Sequence, residues 1–120
     1  MKAGDENILL ISPEKRGLIE KFVPGAETLG ALSEYFFALS DGTRLKILSA
    51  LAITPLCVGD ISTVLGINQT TVSHQLRTLR LAGIVSCRRQ GKIGFYRIAD
   101  KSVLDVMLSA TDGIMKSEAV

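Results

Sequence analysis

The stretch INQTTVSHQLRTLRLAGIV, residues 67–85, decides the fold of this chain. Asn68 is a favourable N-cap for a helix. At 100° per residue, Val72, Leu76 and Leu79 then share one side of that helix. The opposite side carries small polar side chains and a cation, namely Thr70, Ser73, His74 and Arg77. The pattern predicts an amphipathic helix whose outward side is polar near its N-terminus and cationic further along.

The segments on either side of this helix complete a compact unit. Residues 58–66, VGDISTVLG, supply about two helical turns closed by a glycine. After the helix, residues 84–90 and 95–99 alternate like strands, with Gln90-Gly91-Lys92 and Gly94 as the turn between them. Two short helices joined by a tight turn and followed by a hairpin form a winged helix-turn-helix.

Two further helices are predicted before this unit. Residues 27–40 have an apolar surface too wide for one core-facing stripe, which favours a subunit contact. Residues 43–52 follow Asp41, a capping residue type. Their core-facing side is expected to consist of Leu45, Leu48 and Leu51. Arg44 and Lys46 are expected to lie off that side.

The chain ends are predicted to be helical as well. Ser12 and Pro13 suit the start of a short N-terminal helix, and Asp100 can cap a last helix with apolar residues at helical spacing. The fold class is therefore mainly α with a small β-hairpin, in the order of four helices, hairpin and helix after the short extra helix. We expect an N-terminal arm (1–25), a winged helix-turn-helix domain (26–116) and a short tail (117–120).

Length and composition limit the possibilities further. The chain has 120 residues, 47 % of them hydrophobic, enough for one modest core. No stretch approaches the roughly 18 consecutive apolar residues of a membrane span, and a signal-peptide cleavage site is lacking. Two cysteines, Cys57 and Cys87, are too few for a disulfide framework and are not spaced as CxxC. We expect a cytoplasmic protein with reduced thiols and no membrane partner.

Positive charge is concentrated in one third of the chain. Residues 69–101 carry seven Lys/Arg against one Asp. Residues 1–68 carry six against eight acids, and residues 102–120 carry one against three. This distribution is expected when one face of a protein meets a polyanion. A solvated basic face without a partner is the alternative.

The outward side of the helix that follows Asn68 suits duplex DNA. A helix fits the major groove, and short side chains near its N-terminus let it approach the base edges. Cations of the hairpin can lie along a phosphate backbone or in a minor groove. The candidate DNA-binding residues are Gln69, Thr70, Thr71, Ser73, His74, Gln75, Arg77, Arg88, Arg89 and Lys92. Alternatively, His74 is exposed without a role, and Arg77 and Arg80 pair with acidic neighbours.

Four segments carry a resemblance to a known family: DGTRLKIL, LCVGDI, INQTTVSHQLRTLRLAGIV and RRQGKIGFYRIAD. They resemble the ArsR/SmtB family of dimeric bacterial and archaeal transcriptional repressors, over residues 28–116. The resemblance implies a winged-helix homodimer whose first and last helices build the interface. It also implies that an inverted-repeat operator is bound and then released by an effector. The positions that it assigns to DNA contact are Gln69, Thr70, Ser73 and His74.

The resemblance also implies two places for a metal site, and both are incomplete in this sequence. Where the family has CVC followed by Asp, this chain has Cys57-Val58-Gly59-Asp60. In the last helix Asp100 matches a ligand position, but the other positions hold Ser102, Gly113 and Lys116. A glycine and a lysine cannot replace metal ligands. We expect no metal and no cofactor, with Asp100 as a helix cap.

The remaining effector candidates are the two cysteines. If the helix after Cys57 packs near the base of the hairpin, the sulfurs of Cys57 and Cys87 can approach each other. A disulfide or polysulfide bridge between them would displace the helix that follows Asn68. Alternatively, both are small core residues, since free cysteine is among the most buried residue types. A small-molecule effector, or none, is the third alternative.

The sequence bears on two other classes of function. An enzyme is not expected, because no Ser/His/Asp or Cys/His arrangement and no glycine-rich phosphate loop is present. A winged helix that binds only protein is the main alternative to a repressor. The basic hairpin and the short polar side chains of the helix that follows Asn68 favour DNA binding over protein binding.

Overall fold

The computed structural model describes residues 8–118 and contains the predicted order of elements. The helices and strands are α1 (Pro13–Phe22), α2 (Ala26–Leu39), α3 (Gly42–Leu51), α4 (Val58–Leu65), α5 (Gln69–Leu81), β1 (Val85–Gln90), β2 (Ile93–Ile98) and α6 (Ser102–Glu118). Within these described residues, those up to Leu32 belong to one compact unit and those from Ser33 onward to a second. The second unit holds the winged helix-turn-helix. None of the helices within residues 8–118 is long and apolar enough to cross a membrane.

Side-chain caps begin three of the helices where the sequence predicts them. Ser12 accepts a hydrogen bond from the Lys15 amide at 3.1 Å, ahead of Pro13 in the first turn of α1. Asp41 does the same for α3, and the Asn68 Oδ1 accepts from the Thr70 amide at 2.7 Å at the start of α5. These side chains satisfy amide groups that have no partner within the helix.

The core of the second unit is formed by side chains from α3, α4, α5, the hairpin and the start of α6. Val72, Leu76 and Leu79 of α5 are completely buried, which confirms the predicted inner side of this helix. The other buried apolar residues are Ala38, Ile47, Leu48, Leu51, Ile61, Ile84, Val85 and Val103. In contrast, α2 and α6 each bury a single residue, and much of their apolar surface is exposed.

Two expectations for α3 are wrong. Leu45, predicted on the core-facing side, is only half-buried, whereas Ile47 is completely buried. Arg44, predicted off that side, is only 9 % exposed. Its guanidinium group turns inward because three carbonyl acceptors from other parts of the chain meet it there, including Ala38 O at 2.7 Å. A charged side chain that finds such partners can replace the hydrogen bonds that it made to water.

The hairpin is tighter than predicted. The strands pair in antiparallel register from Val85 with Ile98 to Gln90 with Ile93, so Gly94 lies inside β2 and not in the turn. The reason is steric: a Cβ at Gly94 would stand 2.9 Å from the Cys87 sulfur. The glycine gives room to a neighbour on the adjacent strand, a role that sequence alone cannot distinguish from a turn.

The middle of the hairpin is fastened to the segment before α4. Leu56 and Tyr96 form an isolated antiparallel bridge, with the Tyr96 amide donating to Leu56 O at 2.8 Å and the Leu56 amide donating to Tyr96 O at 3.0 Å. The hairpin is therefore held against the helix-turn-helix at its middle, while its tip projects beyond the bridge.

Candidate nucleic-acid interface

The outward side of α5 follows from the burial of its inner side. Because three of its apolar side chains are completely buried, the residues on the opposite side of the helix face solvent. The exposed candidates on α5 are Gln69, Thr70, Thr71, Ser73, His74 and Arg77, together with Arg80. Small polar residues thus occupy the first two turns and cations the last two, as the sequence predicts.

A cleft of about 800 Å³ opens between α5 and β2. The residues that line it are Ser73, His74, Arg77, Arg80, Leu81 and Tyr96. Five of the six have a side-chain hydrogen-bond donor and none is acidic, so the cleft suits an oxyanion such as a phosphate group. Within residues 8–118, neither Arg77 nor Arg80 takes part in an ion pair.

Tyr96 is a member of this cleft that the sequence did not single out. Burial raises the pKa of Tyr96 above its ordinary value of 10.0, and the neighbouring Cys87 thiol raises it further, whereas Arg80 lowers it. The hydroxyl therefore stays protonated at neutral pH and can donate a hydrogen bond. Only the fold, which brings Tyr96 of β2 to the cleft beside α5, reveals this residue, because Tyr96 is distant in sequence from Arg80.

The hairpin cations belong to a different surface. Arg88, Arg89 and Lys92 are exposed, and the Arg89 Nη2 donates to Lys92 O at 2.9 Å. Arg89 and Lys92 line a second cleft of about 370 Å³ together with Cys57, Cys87 and other residues around β2. Tyr96 lines both clefts. The structure therefore brings three of the α5 candidates together in one cleft and two hairpin candidates together in another.

Gln75 departs from the other candidates on α5. It is half-buried, and its Oε1 accepts a hydrogen bond from the Arg44 Nη1 at 2.7 Å. Residues two positions apart on a helix are separated by roughly 200° of rotation about its axis, so Gln75 points away from Ser73 and the cleft. The side chain is engaged with the interior of the unit.

Comparison with known proteins agrees with this geometry. Residues 41–86 match the family model described as bacterial regulatory protein, arsR family. A transcriptional repressor SmtB homolog from a Synechocystis strain is 33 % identical over 109 residues, which cover 91 % of this chain and 83 % of the relative. The chain belongs to the ArsR/SmtB family of transcriptional repressors.

Other relatives of this ArsR/SmtB protein extend the comparison. A cadmium resistance transcriptional regulatory protein CadC homolog from Staphylococcus aureus is 36 % identical over 80 residues, 66 % of each chain. Among solved structures, the homodimeric winged helix-turn-helix DNA-binding domain of a protein from Mycobacterium bovis is 32 % identical, covers 93 % of each chain and gives a TM-score of 0.63. The structural match and the sequence match thus both extend over most of this chain.

The metal-ligand positions of this ArsR/SmtB protein do not converge. Cys57 is half-buried at the start of α4, and Asp60 is exposed in the first turn. The Asp100 carboxylate accepts from the Ser102 amide at 3.0 Å and from its hydroxyl at 2.6 Å, as expected of a cap. Within the described range, no three His, Cys, Asp or Glu side chains are grouped to hold a metal.

Both thiols are free and half-buried. They line the same cleft, which is formed by the start of α4 and the hairpin. Neither is a fully buried core residue. A cleft that contains two thiols together with Arg89 and Lys92 can accept an anionic or electrophilic reagent.

Proposed function

We propose that this repressor binds an inverted-repeat operator as a homodimer, with α5 in the major groove. The observation that carries the proposal is the set of donors on the outward side of α5, which have no acidic partner within residues 8–118. A polyanion supplies the acceptors that such a set of cations and hydroxyls lacks. We also propose a cytoplasmic location, because a transcriptional repressor acts where the DNA lies.

The roles of the side chains follow from their length and position. The short side chains on the first two turns of α5 are proposed to meet base edges: Gln69, Thr70, Thr71, Ser73 and His74. Arg77, Arg80 and Tyr96 are proposed to hold a backbone phosphate in the cleft, because long cations and a phenol reach the sugar-phosphate chain beside the groove. Arg88, Arg89 and Lys92 add charge from the hairpin.

The dimer is proposed to form through an apolar groove of about 440 Å³ between α2, α3 and α6. Its lining includes Phe36, which is 50 % exposed, and Ile114, which is 62 % exposed. A contiguous exposed apolar patch, unlike a single exposed side chain, marks an interaction site. Two copies of α5 related by a two-fold axis can then reach successive major grooves, about 34 Å apart.

The thiol cleft is the part of the structure that best suits an effector. An oxidant such as diamide would take two electrons and two protons from Cys57 and Cys87 and leave a disulfide between their sulfurs. Tyr96 lies in both clefts, so a change at Cys87 would move a side chain that faces Arg80 on α5. Oxidation is therefore proposed to release the DNA.

The test uses the purified full chain and a fluorescent duplex from the promoter region of its own gene, titrated with KCl. We expect affinity that falls steeply with salt, because phosphate contacts release counterions. Binding should be lost after diamide treatment and retained by the Cys57→Ser variant. DNA binding that diamide does not change would exclude the thiols as the effector site but would leave the repressor function supported. No salt-sensitive binding to any duplex would favour the winged helix as a protein-binding module.

A further inference from the structure

Arg44 joins the last turn of α2 to α5. Its Nε donates to Ala38 O at 2.7 Å, its Nη2 to Phe37 O at 3.1 Å, and its Nη1 to the Gln75 Oε1 at 2.7 Å. The guanidinium carbon also stands 5.7 Å from the centre of the Phe37 ring. One side chain of α3 thus connects the end of a helix that contributes to the apolar groove with the middle of the helix proposed to enter the DNA.

The two carbonyls at this site lie in the last turn of α2, and Phe37 O also accepts from the Ser40 amide at 3.0 Å. The last four carbonyls of an α-helix lack amide partners within it, and the C-terminus carries a partial negative charge. A cation placed there is favoured, and the planar guanidinium group donates in several fixed directions at once. Arg44 is thereby oriented by α2, and the direction of its third hydrogen bond determines where Gln75 lies.

The hydrogen bond to Gln75 is of the stronger kind. Its donor is charged, its length is 2.7 Å, and Arg44 as a whole is only 9 % exposed. Hydrogen bonds with a charged donor are shorter and stronger than neutral ones, and a buried donor left without its acceptor is costly. No carboxylate pairs with Arg44 within residues 8–118, so neutral acceptors alone hold this charge.

The position of this hydrogen bond on α5 allows it to restrict rotation of the helix. Leu76 and Leu79 fasten the inner side of the helix through apolar contacts, which resist separation but not small rotation. A directional hydrogen bond on the flank at Gln75 restricts rotation of the helix about its own axis. Such a rotation would move Ser73 and the other outward residues together.

We propose that Arg44 and Gln75 are positioning residues that set the orientation of α5 relative to the last turn of α2. The inference rests on the proposed function, because orientation matters only if α2 contributes to the dimer and α5 binds DNA. In a two-fold dimer, the link fixes the distance and angle between the two copies of α5. It therefore determines how strictly the protein discriminates between operators of different half-site spacing.

The experiment measures that discrimination directly. A duplex that the wild-type protein binds is selected from a random pool, and one base pair is then inserted or deleted between its half-sites. Affinities for the three duplexes are measured by fluorescence anisotropy for the wild type and the Gln75→Met variant. Methionine keeps the length of the side chain and removes the acceptor.

We expect the Gln75→Met variant to bind the correct duplex about tenfold more weakly, which corresponds to about 1.4 kcal/mol. More tellingly, its affinities for the altered spacings should approach its affinity for the correct one. The Gln69→Met variant is the comparison, since that residue is proposed to contact DNA directly. It should weaken binding to all three duplexes by the same factor.

A second variant protects the test against misfolding. Arg44→Lys keeps the charge but cannot span three acceptors in fixed directions, so it should lose spacing discrimination in the same way as Gln75→Met. The double variant should be no worse than either single one, because both remove one interaction.

Each other outcome has a definite meaning. If Gln75→Met weakens binding equally at all spacings, and does so again in the Arg44→Lys background, Gln75 contacts DNA and the positioning role is overturned. If it changes thermal stability alone, the link is only structural and the inference also fails. If the wild type selects no duplex, the proposed function itself fails, and the inference with it.

Discussion

Gly94 lies against Cys87 across the hairpin, so closely that a Cβ on the glycine would stand 2.9 Å from the sulfur. The backbone of Gly94 is not in the left-handed region, so the packing alone excludes a side chain. We expect Gly94→Ala to lower the free energy of unfolding by about 1–3 kcal/mol, the usual cost of overpacking. Chemical denaturation measures the loss.

A second substitution separates this contact from a general weakness of the strand. Cys87→Ala removes the sulfur, so the double variant with Gly94→Ala should recover most of the lost stability. Gly42→Ala, where an added Cβ meets nothing within 4 Å, is the matched control and should lose none. Equal losses for Gly94→Ala with and without the sulfur would show that the contact is not the cause.

The cap of α5 gives a second prediction. Asn68 Oδ1 accepts from the Thr70 amide at 2.7 Å and from the Thr71 amide at 3.3 Å. Asn68→Ala should lower the free energy of unfolding by about 1 kcal/mol, and Asn68→Ser should restore most of it because serine is also a good cap. A serine variant no more stable than the alanine variant would contradict a capping role.

The arginines of the cleft should be visible in the salt dependence of DNA binding. Each phosphate contact contributes about 0.9 to the slope of log affinity against log salt, so Arg77→Ala or Arg80→Ala should reduce the slope by about 1.8 per dimer. Lys116→Ala is the control, because Lys116 already pairs with Asp112 at 3.0 Å on α6. A slope unchanged in both arginine variants would place the DNA elsewhere.

The apolar groove predicts the response of the oligomeric state. Phe36→Asp or Ile114→Asp should yield monomers in sedimentation experiments, and DNA binding should weaken at least about tenfold because one α5 meets only one half-site. Ile53→Asp is the matched control, since Ile53 is 84 % exposed and does not line the groove. Dimers that persist in both groove variants would exclude this interface.

Tyr96 predicts a stability difference in alkaline solution. Its folded-state pKa is raised above the ordinary 10.0, so at pH values just above 10 the unfolded chain loses this proton while the folded chain keeps it. Stability from Tyr96 is fully present below pH 10 and is lost as the pH rises through the folded pKa. Tyr96→Phe should therefore lose less stability than the wild type over that range, in urea denaturation at stepped pH. Parallel losses would show that Tyr96 titrates normally.

Local patterns determine the parts of the structure that sequence predicts well. The caps at Ser12, Asp41 and Asn68 and the inner side of α5 depend on residues within one or two turns, and all of them are confirmed. The family was also predicted from contiguous motifs and is confirmed by the relatives.

The parts that sequence missed depend on contacts between distant segments. The burial of Arg44 needs carbonyls six and seven residues away and an amide 31 residues away. The place of Tyr96 in the cleft requires β2 to lie beside α5, and the position of Gly94 depends on the sulfur of the facing strand. Helical and strand periodicity contain no information about such encounters.

The division of α5 into a completely buried side and an exposed side has an evolutionary consequence. Val72, Leu76 and Leu79 carry the packing, whereas Thr70, Ser73 and His74 project into solvent. Substitutions at exposed positions away from caps usually change stability by less than about 0.5 kcal/mol. A gene duplicate of this protein could therefore acquire a new target sequence through a few outward changes while its folding stays intact.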